Sequence, residues 1–179
     1  NHEVSVIDNF STGNKWSIKD CDIYEIDLLD KSKLFSNFGD RKFDGIFHLA
    51  AKSLVSESFE FPNLYYQNNV VATQNVLDLM LKTSTEKIIF SSTAAIFGLP
   101  LEMKLKEQHQ KKPISPYGST KLKAEEVLEN FSINNKIKCI SLRYFNAAGA
   151  DPSGTIGECH NPETHLIPRA CNSIYSNGD

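Results

Sequence analysis

Lys87-Ile-Ile-Phe-Ser-Ser-Thr93 is an apolar run that closes on three hydroxyl residues, and its reading decides the fold. A short apolar run of this kind predicts a buried strand. Downstream, the stretch from Tyr117 to about Asn134 has helical spacing and is opened by Pro116, a residue suited to the first helical position. Lys138-Cys-Ile-Ser-Leu-Arg143 then reads as a second strand that runs into Tyr144-Phe-Asn-Ala-Ala-Gly149. Strand, helix and strand in that order form a βαβ unit with parallel strands and a right-handed crossover. Polar groups in such sheets gather beyond the carboxyl ends of the strands. Thr93 and the Tyr144 to Gly149 segment are therefore expected at the lip of a crevice.

The same alternation extends upstream. Glu3-Val-Ser-Val-Ile-Asp8 and Ile23-Tyr-Glu-Ile-Asp27 read as strands, the first followed by the turn-rich Asn9-Phe-Ser-Thr-Gly13. A short helix is expected over Lys31 to Phe38 and a third strand over Asp44-Gly-Ile-Phe-His-Leu-Ala50. After Pro62, the residues Tyr65, Val71, Ala72, Val76, Leu79 and Met80 recur at mixed three- and four-residue spacings, the mark of one long helix with a wide apolar face. The fold class is α/β: a doubly wound, Rossmann-type parallel sheet, incomplete at its N-terminal side. No internal repeat interrupts it. At Asp151 the sheet pattern stops, so residues 1–150 form one unit and 151–179, a loop and a helix, begin another.

Composition excludes several classes. With 179 residues, 40 % hydrophobic and 23 % charged, the chain can bury a core. Its net charge is −3 and its basic residues are dispersed, which argues against nucleic acid as a partner. No apolar stretch approaches the roughly 20 residues that span a bilayer, and no basic-then-apolar leader opens the sequence. The expectation is a cytoplasmic protein without a membrane partner. Cys21, Cys139, Cys159 and Cys171 show no Cys-x-x-Cys spacing and read as reduced, structural thiols. Cys159, His160 and His165 raise a metal site, but Asn161-Pro162-Glu163 between them is turn chemistry and no fourth ligand has a recognisable spacing, so no metal is expected.

The chemistry is carried by Ser115-Pro-Tyr-Gly-Ser-Thr-Lys121. Tyr117 and Lys121 stand at i and i+4, on one helix face. A free phenol titrates near ~10, and a neighbouring ammonium favours its charged form. Lowering that pKa by roughly three units, through Lys121 with a cationic cofactor beside it, takes about 4 kcal/mol and makes Tyr117 a general base at neutral pH. The spacing alone is that of an ordinary surface pair. The hydroxyl-rich strand end at Thr93 is what turns it into a site.

A dinucleotide-binding sheet opens with a strand, a glycine-rich turn and a helix, and places a ribose-binding acid about 20 residues later. Here the acid is Asp8, and neither Gly-x-Gly-x-x-Gly nor Gly-x-x-Gly-x-x-Gly occurs in the 179 residues. The reading is of a chain truncated at both ends. Weak affinity for the cofactor pyrophosphate and two strands with unpaired edges are expected to follow.

Val6-Ile-Asp-Asn-Phe-Ser11, His48-Leu-Ala-Ala51, Tyr66-Gln-Asn-Asn-Val70, Phe90-Ser-Ser-Thr93, Tyr117-Gly-Ser-Thr-Lys121, Leu142-Arg-Tyr-Phe-Asn146 and Gly157-Glu-Cys-His-Asn-Pro-Glu-Thr-His-Leu-Ile-Pro168 together cover the chain. In order and spacing they resemble the extended short-chain dehydrogenases/reductases, and among these the UDP-sugar 4-epimerases. The resemblance implies NAD as cofactor, a UDP-sugar (UDP-glucose or UDP-galactose) as substrate and a homodimer of the full-length protein. It implies that Asp8, Asn9, Phe10, Ser11, Thr12 and Gly13 hold the adenosine ribose and that Asp27 and Leu28 flank the adenine. Leu49, Ala50, Ala51, Lys52 and Ser53 would line the dinucleotide with Asn68 and Ser91, Ser53 taking the slot where the family has a lysine. Lys121 would bond the nicotinamide ribose, Phe145 would lie near the nicotinamide, and Thr93 would orient the sugar hydroxyl beside Tyr117. Asn146, His165 and Leu166 would contact the nucleotide-sugar. The implied reaction removes a proton from the sugar O4, moves a hydride from C4 to NAD⁺, and returns it to the other face after the keto-sugar has turned. Ala94 and Ala95 follow Thr93, where dehydratases need acids, so elimination is disfavoured. Another NAD-dependent nucleotide-sugar epimerase or dehydratase, a nucleotide-binding regulatory module on the same fold and an inactive fragment stay open as alternatives.

Overall fold

A computed structural model describes residues 2–177, so Asn1, Gly178 and Asp179, at the outer ends of the two expected units, lie outside the described residues. Five strands appear in the expected order: β1 (Ser5–Asp8), β2 (Asp22–Glu25), β3 (Ile46–His48), β4 (Lys87–Thr93) and β5 (Lys138–Tyr144). Every pairing between them is parallel. The strands form two sheets, β1-β2 and β3-β4-β5. β1, β2, β3 and β5 each keep one edge without a partner among the described residues.

Among the described residues six α-helices accompany the strands: α1 (Lys31–Phe38), α2 (Val55–Glu60), α3 (Pro62–Tyr66), α4 (Ala72–Thr83), α5 (Pro116–Asn135) and α6 (Leu166–Asn177). The Asp30 carboxylate caps α1 by accepting from the Lys33 amide. The long helix expected after Pro62 is continuous from α3 to α4, but residues Gln67–Val71 within it form a π turn. Such turns often mark functional positions. Lys136, with φ of +57°, ends α5 in the left-handed region. The expectation had no counterpart for α2.

α4 joins the two sheets. Its Leu79 enters a core with Ile26, Leu34 and Phe38, while Val76, Leu77 and Met80 enter another with Ile88, Phe90, Ala124 and Leu128. Leu28 packs against both. One face of β3-β4-β5 is thus covered by α4 and α5. On the opposite face, Phe47, Ile89 and Ile140 lie in register. Phe47 is 70 % exposed and Ile140 57 %. The helical layer that a doubly wound sheet places there is not found among the described residues.

Candidate active site

β1 ends at Asp8, whose carboxylate accepts from the Phe10 amide at 2.7 Å. That bond holds Phe10 at φ +52°. It also folds the loop back so far that a Cβ on Gly13 would stand 3.0 Å from Asp8 Oδ2, which glycine avoids. Asn9 donates to Asp27 at 3.0 Å and Asp27 accepts from the Leu29 amide at 2.8 Å, so the exits of β1 and β2 are tied together.

These groups open on a cleft of about 650 Å³. Asp8, Asn9, Ser11, Thr12, Gly13, Asp27 and Leu28 line one part of it, and Leu49, Ala50, Ala51, Lys52, Ser53 and Asn68 another. Phe10 is not among its lining; Lys15 Nζ lies 5.4 Å from that ring's centroid instead. Residues 156–162 also border the cleft, with the Cys159 carbonyl accepting from Asn14 at 3.2 Å. The two acids and the Gly13 close approach fit an adenosine ribose. The 179 residues carry no glycine-rich turn for the pyrophosphate, so the fit to a dinucleotide is partial.

A second group of residues assembles at the carboxyl end of β4. Ser115 caps α5, its hydroxyl accepting from the Gly118 amide at 3.1 Å. A Cβ at Gly118 would meet the Ala95 carbonyl oxygen at 2.7 Å, so only glycine lets the first turn of α5 approach the turn after Thr93 this closely. Thr93 heads that turn by accepting from the Ala95 amide at 3.1 Å. Burial pushes the Tyr117 phenol above its ordinary pKa, and the Thr93 hydroxyl draws it partly back. The lowering expected from Lys121 with a cationic cofactor beside it is not seen in the protein alone. The reason is where the ammonium points: it donates to the Ser91 carbonyl at 2.8 Å and sits 4.8 Å from the Phe90 ring centroid. Burial lowers Lys121 itself to about 8. At pH 7 the ammonium still outnumbers the amine by about ten to one.

Several residues that hold this site in place escaped sequence reasoning. Asn69, in the π turn, accepts from the Lys52 amide at 2.8 Å, donates to the Lys52 carbonyl at 3.0 Å, and donates to Thr120 of α5 at 3.1 Å. It pins the β3 exit to the helix that bears Tyr117. Its place beside Asn68 was a signal left unused. His48 is buried, and its Nε2 lies 2.8 Å from Thr73 Oγ1. Because that hydroxyl already donates to the Asn69 carbonyl, Nε2 is the protonated nitrogen. Burial, and then the Lys121 charge, lowers His48 to about 3. Glu125, one turn beyond Lys121, accepts from Ser92 at 2.6 Å, from Arg143 twice at 2.9 Å and from Lys111 at 3.2 Å. It locks α5 to β4 and β5. Phe145, Asn146, His165 and Leu166 are not among the residues that line the cleft, and Phe145 and Leu166 are 70 % and 79 % exposed.

Parallel strands whose carboxyl ends carry a ribose-type acid and a Thr-Tyr-Lys cluster define a Rossmann-type nucleotide-binding protein. The sequence profile of the NAD dependent epimerase/dehydratase family matches residues 1–179, and the chain belongs to that family. A UDP-glucose 4-epimerase from Halalkalibacterium halodurans is 43 % identical over 93 % of the chain and 50 % of its own length. The crystal structure of a UDP-glucose 4-epimerase from Brucella ovis in complex with NAD superposes with a TM-score of 0.93 at 41 % identity, over 98 % of this chain and 54 % of that one. A UDP-Glc/GlcNAc 4-epimerase from Campylobacter jejuni gives 0.84 at 39 % identity, over 100 % and 56 %. The chain spans about half the length of the curated relatives it matches. None of the helices is long and apolar enough to cross a membrane among the described residues.

Proposed function

We propose that the chain carries the cofactor-binding and base-bearing half of a UDP-sugar 4-epimerase that interconverts UDP-glucose and UDP-galactose. The observation that carries this reading is the placing of Tyr117 beside Thr93 with the Lys121 ammonium buried on the same helix face. Residues 1–150 are the NAD-binding unit in this proposal and 151–179 the start of the substrate region. NAD would be held by Asp8 and its loop, Asp27, Leu49 to Ser53, Asn68 and Lys121. Bound there, it supplies a reversible hydride acceptor that is regenerated in each turnover.

The protein's own work is proton chemistry and orientation. Thr93 and Tyr117 bracket the sugar 4-hydroxyl, and Tyr117 takes its proton as C4 becomes a ketone. The raised phenol pKa means that the base must be activated by positive charge in the complex, from Lys121 and from an oxidised nicotinamide ring. Return of the proton from Tyr117 as the ketone is reduced on its other face completes the inversion. Asn146, His165 and Leu166 are assigned to the nucleotide-sugar and Phe145 to the nicotinamide, which requires the exposed segments after β5 to be covered in the working enzyme. These 179 residues by themselves are expected to bind NAD weakly and turn over poorly. A homodimer through α4 and α5 belongs to the same proposal. A second reading, with N-acetylated UDP-sugars also accepted, is favoured by the likeness to the Campylobacter jejuni enzyme.

The test is Tyr117→Phe, assayed with UDP-galactose in a form of the protein that binds NAD. Loss of interconversion with NAD retained supports the base role. Substantial residual turnover removes it.

A further inference from the structure

Between β5 and α6 the chain doubles back through a bridge from Ala150 to Gly157 and then sets four side chains into one cluster: Glu158, His160, Glu163 and His165. One donor atom from each lies within 4.8 Å of the others. His160 Nδ1 is 3.2 Å from Glu158 Oε1 and 3.5 Å from Glu163 Oε2. His165 Nδ1 contacts the same Glu158 oxygen. The imidazole rings stand edge to face, 4.9 Å between centroids. The Glu163 carboxylate also accepts from the His165 amide at 2.8 Å, which fixes the second half of the cluster.

Charge makes this arrangement unusual. The two carboxylates are only 14 % and 15 % exposed, yet their ion-pair partners among the described residues are the two imidazoles alone, with no lysine or arginine in reach. Two carboxylates set this close together with no lysine or arginine between them repel, and a bound cation offsets that repulsion. Two imidazole nitrogens and two carboxylate oxygens are a donor set suited to a divalent transition metal of the zinc type. We propose that Glu158, His160, Glu163 and His165 form a four-coordinate site for such an ion. Cys159, which the sequence places in the middle of the motif, is not a ligand; its carbonyl is turned to Asn14.

The site has a structural consequence. Glu158 and His160 also border the large cleft, so an ion here holds the 158–165 segment together at the cleft edge and fixes the residue that precedes α6. His165 then serves the ion through Nδ1, which leaves its Nε2 for the nucleotide-sugar contact proposed above. This inference rests on the cluster and not on the proposed reaction.

The experiment uses the full chain stripped with a chelator, titrated with zinc chloride alone by equilibrium dialysis and with cobalt chloride by visible absorption. One equivalent of zinc, a four-coordinate cobalt spectrum, and a thermal midpoint raised by zinc are expected. Glu163→Gln and His160→Ala, the latter at a half-exposed position, should each weaken binding by at least about tenfold. Cys159→Ser should bind as the parent does. Absence of saturable binding, binding undiminished in both ligand variants, or binding lost in Cys159→Ser would each overturn the assignment.

Discussion

Replacing Glu125 by glutamine tests the packing that holds the candidate base in place. The glutamate side chain is 6 % exposed and that of its main partner, Arg143, is 22 % exposed. Glutamine preserves the shape but puts an amide N–H₂ where one carboxylate oxygen accepted from Arg143 and Lys111, so donors face donors. Removing one member of a fully buried pair costs about 3–5 kcal/mol. Because Arg143 and Lys111 keep some contact with water, we expect about 2–3 kcal/mol after allowing for screening. Its dependence on pH gives a second check. Burial alone pushes the Glu125 carboxyl up, but the hydrogen bonds from Arg143 and Ser92 and the Arg143 charge outweigh it, and the net shift is downward. A carboxyl whose folded pKa lies below its unfolded value stabilises fully above the unfolded pKa, and loses that contribution as pH falls through the folded one. The gap between the parent and Glu125→Gln should therefore be full at pH 7 and close below about pH 4.5. Urea unfolding followed by circular dichroism across that range measures it. A gap under about 0.5 kcal/mol, typical of an unimportant surface change, or one constant with pH, would refute the reasoning.

Further outcomes follow from the same geometry. His48 is held at about 3 by burial against an ordinary 6.5, so the folded state resists its protonation. Stability should fall as pH drops from about 6.5 towards 3, and thermal melts of His48→Gln should lack that component. Asn69→Ala removes three hydrogen bonds linking Lys52 to Thr120 and should cost about 2–3 kcal/mol, read by the same urea unfolding. Tyr117→Phe should lower interconversion by at least about a hundredfold, with NAD content unchanged by ultraviolet absorbance. Asp8→Asn should weaken NAD binding about tenfold or more, measured by fluorescence titration, while a 2′-phosphorylated cofactor gains relative to NAD.

Much of the architecture could be read from periodicity. The α1 bounds coincide with the expected Lys31 to Phe38, and α5 extends the expected helix by one residue at each end. These elements are governed by local pattern and capping. α2 is six residues, too short for a period to show, and the π turn leaves the apolar spacing of its helix almost unchanged. The Asp8 and Leu49 segments were legible as strand exits and the Tyr117 segment as a helix, while the roles of their residues came from the resemblance of their motifs. His48, Asn69 and Glu125 were not legible, because what they do depends on partners 14 to 51 positions away. The Tyr117 shift in the protein alone differs from the one expected beside a cationic cofactor for a related reason. Spacing put Lys121 on the same face, but the Ser91 carbonyl decides where its charge goes.

The central claim is that this chain supplies the epimerase base and its cofactor cleft. The most direct measurement substitutes these 179 residues for the matching half of the Halalkalibacterium halodurans relative, leaving the rest of that protein in place, and scores bound NAD with conversion of UDP-galactose to UDP-glucose. The account predicts that the chimera holds NAD and converts the sugar, and that its Tyr117→Phe variant holds NAD without converting it. A folded chimera that binds NAD but is inactive, or one whose activity survives the Tyr117→Phe substitution undiminished, would contradict it.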